Sequence, residues 1–523
     1  MVGWRDWILG AVLVAIVGGA FLGWGLGDYP LWDQDEARHA EVAREMVTGT
    51  GLSRFLLPTF GAEPYREKPP GYYWLVAAAY EVGGISAASA RAVNALAALI
   101  TVIALFVFTA RRSGAAAGLG AACVTISCAG FAGLARYANL DMVFTACVTL
   151  GVLSGLAWLD APSPRRTLRG PYLAVVAAVL VKGPIGAVLI GLPLLVAALL
   201  HHSAWTWREL GVLRGLATIV VLIGLPALAI ATLDPAYGYG LIATNLRRFA
   251  VDAPHAAPFY YYLLWLPLLV APWTLLAGPV LWRSVGEPAQ RPLLAWLIIV
   301  VAVFSLPHGK LATYVLPALP PFGLLVGPAL VRAIDDDEED GDRWLRVGGW
   351  GHAALLAALA IGATIVGVSG APMSAALLAI AVAGWWLALV VLSLRRDLPG
   401  GIPPLIFASV LTGMPVLINL VAPVISAQHS DADAAALARR AGVSSVIAFR
   451  SKSPSLLFYS PVPVVHVDDA NMLHTLFAGS EPVMLVTGAR HMMEVERALG
   501  SLAHRWLDRG RRQTYGNRPP PAG

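Results

Sequence analysis

PYLAVVAAVLVKGPIGAVLIGLPLLVAALL, residues 171–200, decides how the whole chain is threaded. It is too long for one bilayer crossing and short for two, since a helical crossing takes about 20 apolar residues. Flanking charge arbitrates. Arg165, Arg166 and Arg169 precede the stretch, and Arg208 and Arg214 follow it. Arginine collects at the cytoplasmic ends of spans, so both flanks belong inside. The stretch is therefore expected to be a hairpin turning at Lys182-Gly183-Pro184, a charge followed by two helix breakers. Read as one helix, it would also export Arg283, Arg291, Arg332, Arg343, Arg346, Arg395 and Arg396.

The rest of the chain fits that threading. It has 523 residues, 57% hydrophobic and only 13% charged, which places it among polytopic membrane proteins. Apolar runs near 7–26, 88–110, 114–133, 142–159, 171–182, 184–200, 212–232, 259–281, 293–307, 311–333, 347–368, 373–394 and 402–422 suggest about thirteen spans. The net charge of +5 follows from arginine at span ends, so no nucleic-acid partner is indicated. Cys123, Cys128 and Cys147 all lie in apolar runs, which argues against a disulfide framework or a thiolate metal site. A polar island at 28–81 and the loops at 134–141, 233–258 and 307–310 fall on the outer face. An odd span count leaves the sequence from about 424 outside as well. There VSSVIAFRS, PVPVVHVDD and PVMLVTGAR read as strands alternating with helices, ahead of a Pro/Arg-rich tail expected to lack order. The expected architecture is an all-α polytopic membrane protein with a small C-terminal extracytoplasmic α/β domain. Its units are a transmembrane domain over 1–423, carrying a first outer loop at 28–87, and the α/β domain over 424–523. A monomer in the cytoplasmic membrane is expected.

The polar island holds the densest chemistry. In LWDQDEARHAEVAREM (31–46), Asp33 and Glu36 fit a capping box for the helix that follows. Asp35 is left over, divided evenly between helix-end electrostatics and catalysis. In PYREKPPGYYW (64–74), Pro69 or Pro70 can start a helix that Tyr72, Tyr73 and Trp74 would anchor in the interface. Lys68 is either a cation snorkelling to headgroups or a phosphate ligand beside a helix N-terminus. Asp141, in ARYANLDM, either caps a span or faces a cavity beside Arg136. Lys182 is a charge at membrane depth and so a functional candidate. His255 stands alone in its loop, where a hydrogen-bonded histidine is commoner than a metal ligand. His308, Lys310 and Tyr314 sit at an outer span end rich in proline.

DEARHAEVAREM, YREKPPGYYW, ARYANLDM, VKGPIG, HAAPFYYY with a following PW, and SLPHGKLATYVLPALPP occur in one order over most of residues 1–330. Together they resemble the ArnT-like branch of the protein-O-mannosyltransferase superfamily, GT-C glycosyltransferases that use polyprenyl-phosphate sugars. The resemblance implies that Asp35 is the catalytic acidic position and Asp141 a second acid in the cavity. It implies that Lys68 and Tyr314 hold the donor phosphate, with Lys310 and Lys182 as further donor-phosphate residues. Glu36, Tyr65, Tyr72, Arg136 and His308 complete the implied substrate-binding set, His308 standing where many relatives carry lysine. Glu67 and His255 match positions that bind a divalent metal, zinc, in the aminoarabinose enzyme.

The implied activity is inverting transfer of a sugar from an outward-facing polyprenyl-phosphate donor to a lipid, glycan or protein acceptor. The chief alternative is a transporter or flippase of lipid-linked saccharides. It leaves unexplained why the charged clusters gather on one face, since alternating access needs a site reachable from both.

Overall fold

In the computed structural model, residues 171–200 turn back on themselves. Helix α8 (Arg169–Lys182) and helix α9 (Ile185–Leu200) lie side by side, and Gly183 makes the turn at φ +91°, where a side chain would be strained. A Cβ on Gly186 would sit 2.5 Å from the Ala178 Cβ, so the hairpin closes on glycine. The structure describes residues 4–160, 169–200, 211–335, 339–368, 384–385, 387–392, 395, 399–508 and 512–521.

The hairpin packs on α7 (Leu140–Asp160), which packs in turn on α4 (Ala87–Ser113); α4 carries α1 (Trp4–Gly23) and α5 (Ala115–Ser127), and the short α6 (Ala129–Leu134) follows α5. The α7 face carries Gly151, whose absent side chain leaves room for Ala174 of α8 and Ile190 of α9. Helix α5 meets the helix Leu319–Asp335 at Gly120 and Gly327, where a Cβ on either would strike the other's backbone. Small residues at such crossings let helices approach in lipid, where packing rather than water exclusion drives association.

Span lengths differ from the sequence expectation. Among the described residues, Ala87–Ser113, Leu140–Asp160, Leu213–Leu233 and Ala312–Ile334 are long and apolar enough to cross a membrane. The 259–281 stretch is not one straight rod: Tyr261–Leu269 and Thr274–Gly286 meet at 114° beside Pro272. Several other expected spans are helices of 10–17 residues, and the stretch at 373–394 lies largely outside the described residues. The count of thirteen therefore stays an expectation.

The segment 28–87 is folded rather than loose. Helix α2 (Asp35–Thr48) packs on α3 (Gly71–Gly83), with a two-residue ladder between them, β1 (Thr59–Phe60) antiparallel to β2 (Glu63–Pro64). Tyr72 and Tyr73 are fully buried and do not anchor in an interface; both lie on the face of α3 that meets α2 and α4. The capping box does not form either. Gln34, not Asp33, precedes α2, and no side chain caps it.

Beyond the helix Ile402–His429 the chain makes a five-stranded sheet. The three expected strands are β3 (Ser445–Phe449), β4 (Val464–Val467) and β5 (Val483–Gly488), with β3 parallel to both neighbours. The expectation of a structureless end is corrected in part. Strands β6 (His504–Asp508) and β7 (Arg512–Gly516) add an antiparallel pair, and β7 lies between β5 and β6. Gln513, Thr514 and Tyr515 of β7 are buried, so sheet pairing and packing override a polar sequence.

Candidate active site

The charged and aromatic groups of the candidate site come from six places in the chain. Asp35 opens α2 and is 47% exposed; among the described residues its one ionic partner is Arg38, 3.6 Å away and one turn on. Arg38 also reaches Glu67, at 3.7 Å. That arginine thus ties the acid of α2 to the strand of chain carrying Lys68. Lys68 is held at the foot of α3 by its own carbonyl, which accepts from the Tyr237 hydroxyl at 2.7 Å. Nearby, Arg66 pairs with Asp234 at 2.6 Å, fastening the 28–87 segment to the start of the helix Pro235–Leu246, which Asp234 caps.

Asp141 stands in the first turn of α7, where Asn139 receives its backbone N–H and donates to its carboxylate. Its partner is not Arg136 but Lys182, whose ammonium lies 2.5 Å from Oδ1. Three aromatic rings surround that ammonium: Tyr314 at 4.5 Å, Phe144 at 5.1 Å and Phe304 at 5.5 Å. The Arg248 guanidinium lies 5.0 Å from the Tyr314 ring centre. Tyr314 is within electrostatic reach of Arg248, Asp141 and Asp35, and Lys68 within reach of Arg248, Lys182, Glu67 and Asp141. Lys68, Lys182, Arg248, Asp35, Asp141 and Tyr314 therefore form one constellation. Burial, with Arg248 and Lys182 close by, pulls the Lys68 ammonium down to about 8. The His39 imidazole is held well below its ordinary value by burial and by Arg38 and Lys68; it shares a hydrogen bond with the Tyr73 hydroxyl at 2.9 Å.

Four sequence expectations change character. Glu36 is wholly buried: Arg91 of α4 donates to both its oxygens at 2.7 and 2.9 Å, and the N–H groups of Trp32 and Ala138 fill the remaining lone pairs. No lone pair is left for substrate. Arg136 donates to the carbonyls of Phe21, Leu22 and Trp24, closing the C-terminal end of α1. The Tyr72 hydroxyl is spent on Asn94 at 3.1 Å, inside the helix packing. Lys310 is buried with its ammonium on the carbonyls of Ala257 and Pro307, where it staples two loops that also pair at Ala256 and Gly309. Tyr65 stays at the edge of the constellation, 3.4 Å from Glu67. His308 is exposed, its carbonyl accepting from Ala257.

The residues suggested for a metal gain no third ligand among the described residues. Glu67 is engaged with Arg38 and Tyr65, His255 is an exposed residue at φ +59°, and among the described residues no three His, Cys, Asp or Glu lie together. A zinc site ordinarily draws three or four protein ligands.

Arg38 and Arg248 are the members that sequence reasoning passed over. A signal existed for Arg248: Arg247-Arg248 is an arginine pair in a loop assigned to the outer face, against the usual charge bias.

A model of the dolichyl-phosphate-mannose-protein mannosyltransferase family matches residues 31–233. An undecaprenyl phosphate-alpha-4-amino-4-deoxy-L-arabinose arabinosyl transferase 1 of Pseudomonas fluorescens strain Pf0-1 is 31% identical over 489 residues, 87% of this chain and 83% of its own. The protein of the same name from strain Pf-5 is 36% identical over 346 residues, 62% of this chain. That match spans 60% of the relative's length. In fold, the chain resembles the crystal structure of ArnT from Cupriavidus metallidurans bound to undecaprenyl phosphate, with a TM-score of 0.80, 100% of both chains covered and 21% identity.

Proposed function

Since the chain belongs to the undecaprenyl phosphate-alpha-4-amino-4-deoxy-L-arabinose arabinosyl transferase family, we propose that it moves a sugar from a polyprenyl-phosphate donor to an envelope glycolipid. The proposed donor is an undecaprenyl-phosphate aminopentose and the proposed acceptor is lipid A. One observation carries the reading beyond family membership: Lys182 and Arg248 both lie on the Tyr314 ring, with Lys68 within electrostatic reach of those two cations, beside the acids Asp35 and Asp141. Such a cluster can hold a lipid phosphate monoanion and leave a carboxylate for the acceptor.

In the proposed reaction an acceptor oxygen attacks the anomeric carbon from the face opposite the phosphate. The bond between that carbon and the phosphate oxygen breaks, and configuration inverts. Charge builds on the departing phosphate, where Lys68 and Arg248 stabilise it, a preorganised arrangement that needs no rearrangement during the reaction. Asp35 takes the proton of a hydroxyl acceptor, or orients an acceptor that is already an anion. The Lys182–Asp141 pair lies against the face of the Tyr314 ring and holds that ring beside the phosphate. No step passes through a metal.

Purified protein given undecaprenyl-phosphate aminopentose and lipid A should yield glycosylated lipid A by mass spectrometry. The absence of product with lipid A and with other envelope glycolipids would sink the reading. Lys68→Ala should raise the donor KM roughly 10- to 100-fold, the weight of a lost charged hydrogen bond. The acceptor KM should change little. Because donor phosphate binding needs the ammonium, kcat/KM for the donor should fall as pH rises through about 8. A profile flat to pH 10 would remove Lys68 from the phosphate.

The orientation proposed puts the constellation and the C-terminal sheet outside the cytoplasmic membrane. Single cysteines at Ala256 and Ala470, in a background without Cys123, Cys128 and Cys147, should react with an impermeant thiol reagent in intact cells. Labelling only after lysis would place these loops inside and overturn the orientation.

A further inference from the structure

The segment just ahead of Asp35 is gripped from the far end of the chain. Leu31 N–H donates to the Tyr459 hydroxyl at 2.9 Å, Trp32 Nε1–H to Ser426 Oγ at 2.9 Å, and Asp33 N–H to the His429 carbonyl at 2.6 Å. The Asp33 carboxylate accepts from Ser455 N–H at 2.7 Å and Ser453 Oγ–H at 3.0 Å. Arg512 of β7 completes the junction, 3.5 Å from Asp33 Oδ2 and 3.3 Å from Asp431 Oδ2. The same guanidinium donates to Ser451, and the Asp431 N–H donates to Ser455 Oγ at 2.8 Å. Asp431 is 4% exposed, so this is a built, desolvated cluster rather than a surface ion pair. The short helix Pro454–Tyr459 packs directly on α2.

Asp35 is thereby placed between two anchors. On its C-terminal side Glu36 is locked to Arg91 in the membrane body. On its N-terminal side Asp33 is locked to the C-terminal sheet. We propose that the C-terminal α/β unit is a positioning part of the transferase, setting Asp35 through the Asp33–Arg512–Asp431 cluster. This rests on the transferase reading above. The anchor makes no contact with Lys68, Lys182 or Arg248, so its loss should shift the acid and spare the cations that hold the donor. A displacement of about 1 Å at a reacting group can cost about 100-fold in rate.

The test uses full-length protein. Arg512→Gln and Asp33→Asn should each lower kcat by about 10- to 100-fold with the donor KM within about twofold of wild type. The double variant should be no worse than the more damaging single one, because both break one unit. Arg450→Gln is the control: it removes the Arg450–Glu494 ion pair at 2.7 Å on the same α/β unit, a side chain whose hydrogen bonds go to Asp468 and Glu494 and not to the Asp33–Arg512–Asp431 cluster, and should leave kcat unchanged. Amide hydrogen exchange over residues 34–38 should quicken in Arg512→Gln and not in Arg450→Gln. Wild-type kcat in Arg512→Gln, or an equal kcat loss in Arg450→Gln, would overturn the positioning role. Wild-type protein inactive toward every polyprenyl-phosphate sugar would instead refute the transferase reading, and unchanged exchange in Arg512→Gln would refute the anchor on its own.

Discussion

Asp35→Asn is expected to lower kcat by roughly 10²- to 10⁴-fold, the range of a lost general base or acceptor-orienting carboxylate. The folded state should be untouched. Asp35 is half exposed, and its one ionic partner among the described residues is Arg38 at 3.6 Å, a pair of the partly solvated kind worth about 0–1 kcal/mol. The contrast with its neighbours sharpens the expectation. Asp33 and Glu36 are both held by hydrogen bonds from distant segments, whereas Asp35 pairs only with Arg38 among the described residues and lies within electrostatic reach of Tyr314. Turnover assayed on purified variant, alongside thermal unfolding in the same detergent, separates the two effects. An Asp35→Asn protein with turnover within about threefold of wild type would remove it from the chemistry, since a catalytic carboxylate contributes at least about 10²-fold.

Arg91→Met is expected to be the most destabilising single change, by about 3–5 kcal/mol, as in other buried ion pairs that lose one partner. Arg91 and Glu36 are both fully buried, and the guanidinium also donates to the carbonyls of Leu26, Tyr29 and Pro30. Its face stacks 3.8 Å from the Tyr29 ring centre. Removing it strands a carboxylate in a dry interior and leaves three carbonyls without their donor. Removing both charges, as Arg91→Met with Glu36→Gln, should recover a large part of the loss, because the stranded charge is the costly element. Unfolding midpoints in detergent decide it. A single variant as stable as wild type would show that water reaches Glu36 and that the pair is not the anchor described here.

The sequence and the structure part company mainly over which charged residues are free. Glu36 and Asp35 are adjacent carboxylates in the same first turn, and local pattern cannot rank them. Lys310 and Lys182 are both lysines near span ends, yet one staples two loops through backbone carbonyls and the other pairs with Asp141 over the Tyr314 ring. Arg136 reads as a cavity residue by its nearness to Asp141 in sequence, but a helix end 112 residues earlier captures it. Arg248 entered the constellation only when its loop folded back over Tyr314.

What the sequence determined by itself was everything carried by short-range physics. Apolar run length set the membrane class, arginine asymmetry and Gly183-Pro184 set the hairpin at 171–200, and alternating β-branched residues marked β3, β4 and β5. Each of those signals lies within one element and its flanks. The tertiary structure alone decided the assignment of acids and bases. A carboxylate becomes a buried anchor when a cation from another segment arrives to desolvate and saturate it, as Arg91 does for Glu36 across 55 residues. Arg512 does the same for Asp33 from the last strand of the sheet. Asp35 stays available because, among the described residues, no cation from a distant segment pairs with it, and that follows from the packing of distant segments, which no local pattern encodes.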